Sequence, residues 1–291
     1  MLGAAADLPA ALVAKDATLW GPEASAEAAL RLGWLDAVDT GRALVPEVLA
    51  LREQLAAEGV DRVVLCGMGG SSLAPEVIAG SAGADLIVLD STAPTVVRTV
   101  LESELSRTVV VVSSKSGTTL ETDSQRRALL AAFDAAGVDG AARTVVVSDP
   151  GSELAELGRS QGYRRVFLAD PTVGGRYSAL TAFGLVPSGL AGVDLGGLLD
   201  DAESVQTTLA TDDPDNPALV LGAVLAGDRQ RDEVVLADTG SGIVGFGAWA
   251  EQLLAESTGK QGKGVLPVPV EGTDAPDYTT PADDVVRVVL E

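Results

Sequence analysis

A run of four valines at residues 109–112 constrains the fold more than any other stretch of this sequence. The run is β-branched and apolar on both faces, and it is too short for a helix, so it predicts a buried strand of a parallel sheet. Thr118 and Glu121, which follow it, have the spacing of a capping box and predict that a helix begins there. The valine run is followed directly by seven residues rich in hydroxyl groups: Ser113, Ser114, Lys115, Ser116, Gly117, Thr118 and Thr119.

We call residues 113–119 the hydroxyl loop. Because it would connect the carboxyl end of a strand to the N-terminus of a helix, its hydroxyls, the ammonium group of Lys115 and free backbone N–H groups would converge. A phosphate monoester is bound by such a set of donors. The alternative is an ordinary capped turn, but a cap needs one hydroxyl and this loop contains five. The loop therefore favours phosphate binding.

The strand–loop–helix pattern repeats along the chain. Strands are predicted at residues 62–66, 86–89, 109–112, 144–147 and 165–168, with helices in the intervals between them. Five βα repeats with short connections predict an α/β fold, a doubly wound parallel sheet in a three-layer αβα arrangement of the flavodoxin-like type. In such sheets ligands bind at the carboxyl ends of the strands, where the hydroxyl loop would lie.

A shorter alternation follows, with strands predicted at residues 233–237 and 265–270 and at the end of the sequence. We expect an N-terminal helical segment (1–45), a first domain with the phosphate loop (46–190), a helical connection (191–215) and a partial second α/β domain (216–291). A sheet of two or three strands leaves apolar edges and half a core uncovered. The chain is therefore expected to be a fragment or the front part of a longer polypeptide.

The charge balance restricts the partners. Twenty Lys and Arg residues stand against 42 Asp and Glu, a net charge of −22, which repels nucleic acid and anionic membranes. A single cysteine, Cys66, and the lack of a signal peptide or membrane span favour the reducing cytoplasm. The sequence contains no histidine, the commonest general acid–base and metal ligand.

Three further stretches could carry chemistry. The turn at residues 67–72 follows a strand, but Ser72 stands where a dinucleotide fingerprint needs glycine, so the turn suits a small phosphate or sugar better. Two glycines before Arg176 would let the backbone approach a ligand beside a guanidinium. Gln252 and Glu256 share one helix face, and Gly259 marks the end of that helix. For Gln252 and Glu256, a polar helix face exposed to solvent is as good an interpretation as a functional role.

Together these stretches resemble the signature blocks of the phosphoglucose isomerase family, in the same order. The blocks are GMGGSSLAPEVI, SSKSGTTLETDS, VGGRYSALTAFGL and EQLLAESTGKQGKG. The resemblance implies two sugar isomerase domains, a small-molecule sugar phosphate as substrate, a cytoplasmic homodimer, and neither a metal nor an organic cofactor.

The resemblance also implies roles for individual residues. Arg176 would stabilise a cis-enediol intermediate and Glu256 would be the base that moves a proton between C1 and C2 of the sugar. The residues implied in substrate binding are Gly70, Ser71, Ser114, Lys115, Ser116, Thr119, Gly175 and Gln252.

Two departures from the family pattern limit this expectation. Family members open the sugar ring with a histidine after the glutamate block and carry a catalytic lysine near the C-terminus of a longer chain, and this sequence matches neither feature. We therefore expect full activity to need a C-terminal segment or a partner chain. A non-catalytic sugar-phosphate sensor is the alternative, and another isomerase or a transferase on the same fold is a weaker one.

Overall fold

A computed structural model of the protein describes residues 7–227, 231–260 and 262–291. Residues 1–6 begin the segment whose sequence lacks the features of a signal peptide, and they lie outside the described residues. The chain forms two compact units, one of residues Asp36–Leu199 and one of Met1–Leu35 with Asp200–Glu291. None of the helices in the described residues has both the length and the apolar character needed to cross a bilayer.

The unit of residues Asp36–Leu199 contains a parallel five-stranded sheet in the order β2-β1-β3-β4-β5. This confirms the predicted doubly wound α/β fold. Its strands are β1 (Arg62–Cys66), β2 (Leu86–Leu89), β3 (Thr108–Ser113), β4 (Thr144–Ser148) and β5 (Arg165–Leu168). Its helices are α3 (Ala37–Ala57), α4 (Leu73–Ser81), α5 (Pro94–Leu101), α6 (Leu120–Ala135), α7 (Glu153–Ser160) and α8 (Ala182–Ala191), followed by the start of α9 (Leu195–Leu209).

The valine run is the centre of this sheet, as its composition predicts. All six residues of β3 are buried, because β1 and β4 pair with it on its two sides. Val110 and Val112 pack in a core with Leu129 and Phe133 of α6. Cys66 lies in the same core, where burial raises the pKa of its thiol to about 12. The cysteine is therefore a packing residue, as expected.

The predicted capping box is wrong in detail. Helix α6 begins at Leu120 with Thr119, not Thr118, as the N-cap residue, and the N-cap side chain makes no hydrogen bond to the helix. The hydroxyl of Thr118 instead donates to Oγ of Ser116 (3.0 Å). Because the Thr118 hydroxyl bonds within the loop, it does not cap the helix, and the Thr118–Glu121 spacing gave the wrong N-cap residue.

The other unit contains a parallel three-stranded sheet in the order β7-β6-β8. Its strands are β6 (Glu233–Asp238), β7 (Leu266–Val270) and β8 (Val285–Leu290). Its helices are α1 (Leu8–Val13), α2 (Ser25–Ala28), most of α9, α10 (Pro217–Gly227), α11 (Phe246–Thr258) and α12 (Pro276–Thr279). The three strands predicted in this part of the sequence are therefore present.

The compact units divide the chain after Leu35 and Leu199. The expected boundaries after residues 45, 190 and 215 remain a prediction about sequence domains. Helix α3 runs without interruption from Ala37 to Ala57, so the first expected boundary falls inside it. Pro46 lies within this helix and does not end it.

Candidate active site

The hydroxyl loop lies at the carboxyl end of β3, as predicted, and its own hydrogen bonds fix its shape. The hydroxyls of Ser114 and Thr119 are 3.0 Å apart, and the Gly117 N–H donates to Oγ of Ser114 (3.1 Å). Oγ of Ser116 accepts from the Thr118 N–H (3.2 Å). Gly117 has φ +75°, and a Cβ there would lie 2.7 Å from the Leu154 nitrogen, so only glycine fits. Ser114 is buried, whereas Ser116 is exposed.

Lys115 links the hydroxyl loop to the two loops beside it. Its ammonium group forms an ion pair with Oδ2 of Asp149, at 2.6 Å, in the loop after β4. It also donates to the carbonyl of Pro171, at 3.4 Å, in the loop after β5. Both side chains of the pair are largely buried, with 29% of Lys115 and 17% of Asp149 exposed. The single cation of the hydroxyl loop is therefore already paired with a carboxylate.

Asp149 was not identified from the sequence. It follows β4 directly, so the rule that functional loops lie at the carboxyl ends of parallel strands could have drawn attention to it. Ser148 before it donates to the Ser114 carbonyl at 2.6 Å, which adds a second link between the two loops. Oδ1 of Asp149 is buried and has no hydrogen-bond partner among the described residues.

The two glycine loops of this unit are in direct contact. A Cβ on Gly70 would lie 2.4 Å from the Gly175 carbonyl oxygen and 2.9 Å from the Arg176 nitrogen. Ser178 joins the loops, because its hydroxyl lies 2.6 Å from the Gly175 carbonyl oxygen and 3.4 Å from that of Gly70. The structure therefore brings together two blocks that are about a hundred residues apart in sequence, and Ser178 is a second residue that sequence reasoning missed.

Ser71 and Arg176 lie in short 3₁₀ turns at the ends of these loops, Gly69–Ser71 and Gly175–Tyr177. Arg176 is half-buried, and its guanidinium carbon lies 5.1 Å from the centre of the Tyr177 ring. Stacking on this ring restricts where the cation can point. Gly174, which precedes the turn, supplies the backbone N-cap.

A cavity of about 330 Å³ lies against the hydroxyl loop, between α6 and α7. Its lining includes Ser114, Gly117 and Thr119 of the hydroxyl loop and two acidic residues, Asp123 and Glu153. The carboxylate of Asp123 is paired with Arg126 (2.6 Å) and Arg127 (3.0 Å). The cavity therefore borders both the hydroxyl loop and the first turn of α6.

Gln252 and Glu256 belong to the other unit. Both lie on α11, one turn apart as predicted, and Gly259 is the C-cap residue of that helix. Glu256 is exposed, and its backbone carbonyl accepts a bond from the Lys260 ammonium (2.6 Å). Oε1 of Gln252 is buried without a hydrogen-bond partner in the described residues. Each unit has its own part of the predicted site: phosphate donors and Arg176 in one, Gln252 and Glu256 in the other.

No group of three or more His, Cys, Asp or Glu side chains in the described ranges could hold a metal ion. The polar groups at the carboxyl ends of the strands include hydroxyls, backbone N–H groups and the Lys115–Asp149 ion pair, and the guanidinium of Arg176 lies in the turn that contacts Gly70. This donor set can bind an anion and stabilise negative charge that develops on a bound carbonyl compound.

Comparison with known proteins gives the family. The sequence profile described as phosphoglucose isomerase matches residues 52–261. A probable glucose-6-phosphate isomerase of Haloarcula marismortui is 34% identical over 213 residues, which are 71% of this chain and 49% of the relative. The chain spans about half the length of the curated relatives it matches.

Two solved structures share the fold. A hypothetical protein from Thermus thermophilus has a TM-score of 0.82 at 27% identity, over 99% of this chain and 71% of that protein. A glucose-6-phosphate isomerase from Chlamydia trachomatis has a TM-score of 0.73 at 23% identity, over 95% of this chain and 57% of the enzyme. The profile match covers all four signature blocks except the last residues of the final one. This chain belongs to the phosphoglucose isomerase family.

Proposed function

We propose that this chain carries the substrate-binding part of an aldose–ketose isomerase that interconverts glucose 6-phosphate and fructose 6-phosphate. One observation carries the proposal: the ammonium group of Lys115, in the hydroxyl loop, donates to the carbonyl of Pro171. Pro171 lies in the segment that follows β5 and leads to Arg176. Phosphate donors and a cation for the reacting carbons therefore belong to one connected set of loops. The matching relatives named as glucose-6-phosphate isomerases support this substrate.

The phosphate would be held mainly by neutral donors. Ser114, Ser116 and Thr119 offer hydroxyls, and the first turn of α6 offers backbone N–H groups and the positive end of the helix dipole. Gly70 and Ser71 would approach the substrate from the neighbouring turn. Because the chain has a net charge of −22, binding has to depend on these local donors and not on long-range attraction.

The chemical step would need two groups. Glu256 would take the proton from one sugar carbon and return it to the other, as a general base and then a general acid. Arg176 would stabilise the negative charge of the cis-enediol intermediate, with Gly175 leaving room beside it. Gln252 would orient the substrate. Each of these roles is tested by substitution.

Ring opening would need a group that this chain does not contain, because it has no histidine. We therefore expect the chain to act on open-chain substrate alone, and the full activity to belong to a longer polypeptide or to an assembly with a partner chain. A cytoplasmic homodimer is part of the same proposal. The lack of histidine also favours a second candidate, a sugar-phosphate sensor that binds without turnover.

Isomerisation by the purified chain tests the proposal. Fructose 6-phosphate is supplied, and glucose 6-phosphate is detected with a coupled dehydrogenase while ligand binding is measured in parallel. Slow turnover that scales with chain concentration supports the isomerase. Binding without any turnover supports the sensor, and the absence of both contradicts the assignment of the hydroxyl loop.

Substitution of Asp149 tests how Lys115 contributes to phosphate binding. We expect Asp149→Asn to weaken fructose 6-phosphate binding by about fivefold, corresponding to about 1 kcal/mol, because the ion pair holds Lys115 and thereby the hydroxyl loop in place. Lys115→Met should have a similar effect, and the double variant should be no worse than either single one. The measurement is calorimetric titration of each variant.

The exposed Asp134→Asn removes the same charge away from the site and should leave affinity unchanged. If the Lys115 ammonium instead contacts the phosphate directly, Asp149→Asn would free it and tighten binding. Tighter binding would therefore exclude the positioning role of the pair.

A further inference from the structure

Helix α11 carries a third polar group in line with Gln252 and Glu256. Trp249 precedes Gln252 by three residues and Glu256 by seven, so the three side chains share one face of the helix. We call them the α11 row. Side chains three or four residues apart on a helix are neighbours, about 5–6 Å from each other at Cβ. Trp249 therefore extends the two proposed substrate residues by one helical turn.

The α11 row lies away from the core of its own unit. Ala250 is buried in that core, and a Cβ on Gly247 would lie 2.9 Å from Cβ of Pro269 in β7. Because each residue of a helix is rotated by about 100° from the one before it, Ala250 and Gly247 point to a different side of α11 from the row. Trp249 is not part of the core cluster in the described residues. Core packing therefore does not account for this tryptophan.

Two polar atoms of the α11 row are buried without a partner. Nε1 of Trp249 and Oε1 of Gln252 make no hydrogen bond in the part of the chain that the structure describes. Buried polar atoms are nearly always paired in native proteins, so such a pair needs an explanation. The indole N–H can only donate and the amide oxygen can only accept. One donor and one acceptor on successive turns complement a hydroxyl group, which both accepts and donates.

The indole ring is held in place by its own helix. Phe246, one turn earlier, meets it edge to face, with ring centroids 5.8 Å apart and an angle of 69° between the ring planes. Phe246 itself packs against the core of the unit. This arrangement of aromatic rings is a favourable one. The indole N–H therefore has a fixed direction, and a ligand would bind it without the cost of ordering the side chain.

We propose that Trp249 is a further substrate-contacting residue, whose indole N–H donates to a hydroxyl group on the carbon chain of the sugar phosphate while Oε1 of Gln252 accepts from the sugar. The inference rests on the proposed function and adds a group that recognises the sugar and not the phosphate. A ligand without hydroxyl-bearing carbons would leave both buried atoms unpaired, so the α11 row selects a polyhydroxylated chain.

The indole N–H signal of Trp249 in nitrogen-15 NMR spectra tests the proposal. The chain has three tryptophans, and the signal that disappears in Trp249→Phe is the one to follow. We expect saturating fructose 6-phosphate to shift this signal, because the N–H gains a hydrogen bond. Inorganic phosphate, which offers no sugar hydroxyl, should leave it in place. The signal of Trp20, whose ring is exposed, should move with neither ligand.

Calorimetric titration of Trp249→Phe gives the second measurement. Phenylalanine keeps an aromatic ring but lacks the N–H, so the affinity for fructose 6-phosphate should fall about tenfold, while the affinity for inorganic phosphate stays within about twofold. Trp20→Phe is the matched control and should bind both ligands as the unsubstituted chain does. Thermal unfolding shows whether Trp249→Phe is as stable as that chain. If it is not, the indole signal of the unsubstituted chain decides alone.

The possible results separate this inference from the proposed function. If fructose 6-phosphate binds without moving the Trp249 signal, or binds Trp249→Phe with unchanged affinity, Trp249 does not contact the sugar and the proposed function still stands. An equal loss of affinity for fructose 6-phosphate and for phosphate would make Trp249 a packing residue. If the unsubstituted chain binds no fructose 6-phosphate, the proposed function and this inference fall together.

Discussion

Gly70→Ala is expected to displace the loop that carries Arg176 and so to disrupt the candidate site. The added carbon would lie 2.4 Å from the Gly175 carbonyl oxygen, where ordinary contacts begin at 3.4 Å, so the loop that carries Arg176 has to move by about 1 Å. We expect a loss of about 1–3 kcal/mol in the free energy of unfolding, typical of overpacking. A displacement of this size in a binding site typically lowers activity by about a hundredfold. We also expect the variant to bind the sugar phosphate more weakly.

Gly175→Ala is the matched control. A Cβ at this position meets no atom within 4 Å and the backbone has an ordinary φ, so thermal stability should not change. If Gly175 faces the substrate, the added methyl group should weaken fructose 6-phosphate binding although the chain stays equally stable. Equal stability of Gly70→Ala and Gly175→Ala would contradict the contact between the two glycine loops.

Glu256→Gln is expected to abolish isomerisation while leaving sugar-phosphate affinity within about twofold. A positioned general base contributes about 10²- to 10⁴-fold to turnover, and the amide keeps the shape of the side chain but cannot accept the proton. The effect should therefore appear in kcat and not in KM. Steady-state kinetics with fructose 6-phosphate measure it.

Glu251→Gln gives the control for this experiment. Glu251 is exposed on the same helix, so its substitution removes an equal charge and should leave turnover unchanged. Loss of turnover in both variants would indicate an effect of helix charge. Retained turnover in Glu256→Gln would remove Glu256 from the catalytic role and leave the base unassigned.

Sequence alone predicted the elements of the first sheet well. Strands β1, β2 and β5 begin and end at the predicted residues, because the strands of a parallel sheet are short apolar runs closed by polar or glycine residues. The hydroxyl loop follows β3, and the segment that leads to Gly175 follows β5, for the same reason. Once alternating strands and helices are recognised, the topology of a parallel sheet puts the loops that follow the strands at one edge of the sheet. This prediction needs no knowledge of side-chain contacts.

Contacts across the loops could not be predicted in this way. The pairing of Lys115 with Asp149 joins residues that belong to different βα units, and neither local pattern requires the other. The same holds for Ser178, which links the two glycine loops. The capping box failed for a related reason: Thr118 had the right spacing, but the loop's own hydroxyl bonds placed the helix start one residue later.

The second sheet illustrates a different limit. Its strands were predicted, but which of its edges is open depends on the alternation of inward and outward residues in β7 and β8, and only the structure gives this alternation. Pro267 and Pro269 could close an edge or interrupt a strand, according to where they fall in the register. The Leu266 N–H donates to the Asp232 carbonyl (2.7 Å), so Pro267 and Pro269 lie at alternate positions that face away from β6. They therefore close an edge and do not interrupt the strand.

The proposed function depends on recognition of a sugar phosphate's phosphate group by the hydroxyl loop. Calorimetric titration of the purified chain with fructose 6-phosphate, beside titrations with fructose and with a Ser114→Ala variant, tests it most directly. We predict saturable binding of fructose 6-phosphate, no detectable binding of fructose at the same concentrations, and affinity about tenfold lower in the variant. Equal binding of the two sugars, or unchanged affinity in Ser114→Ala, would contradict the claim.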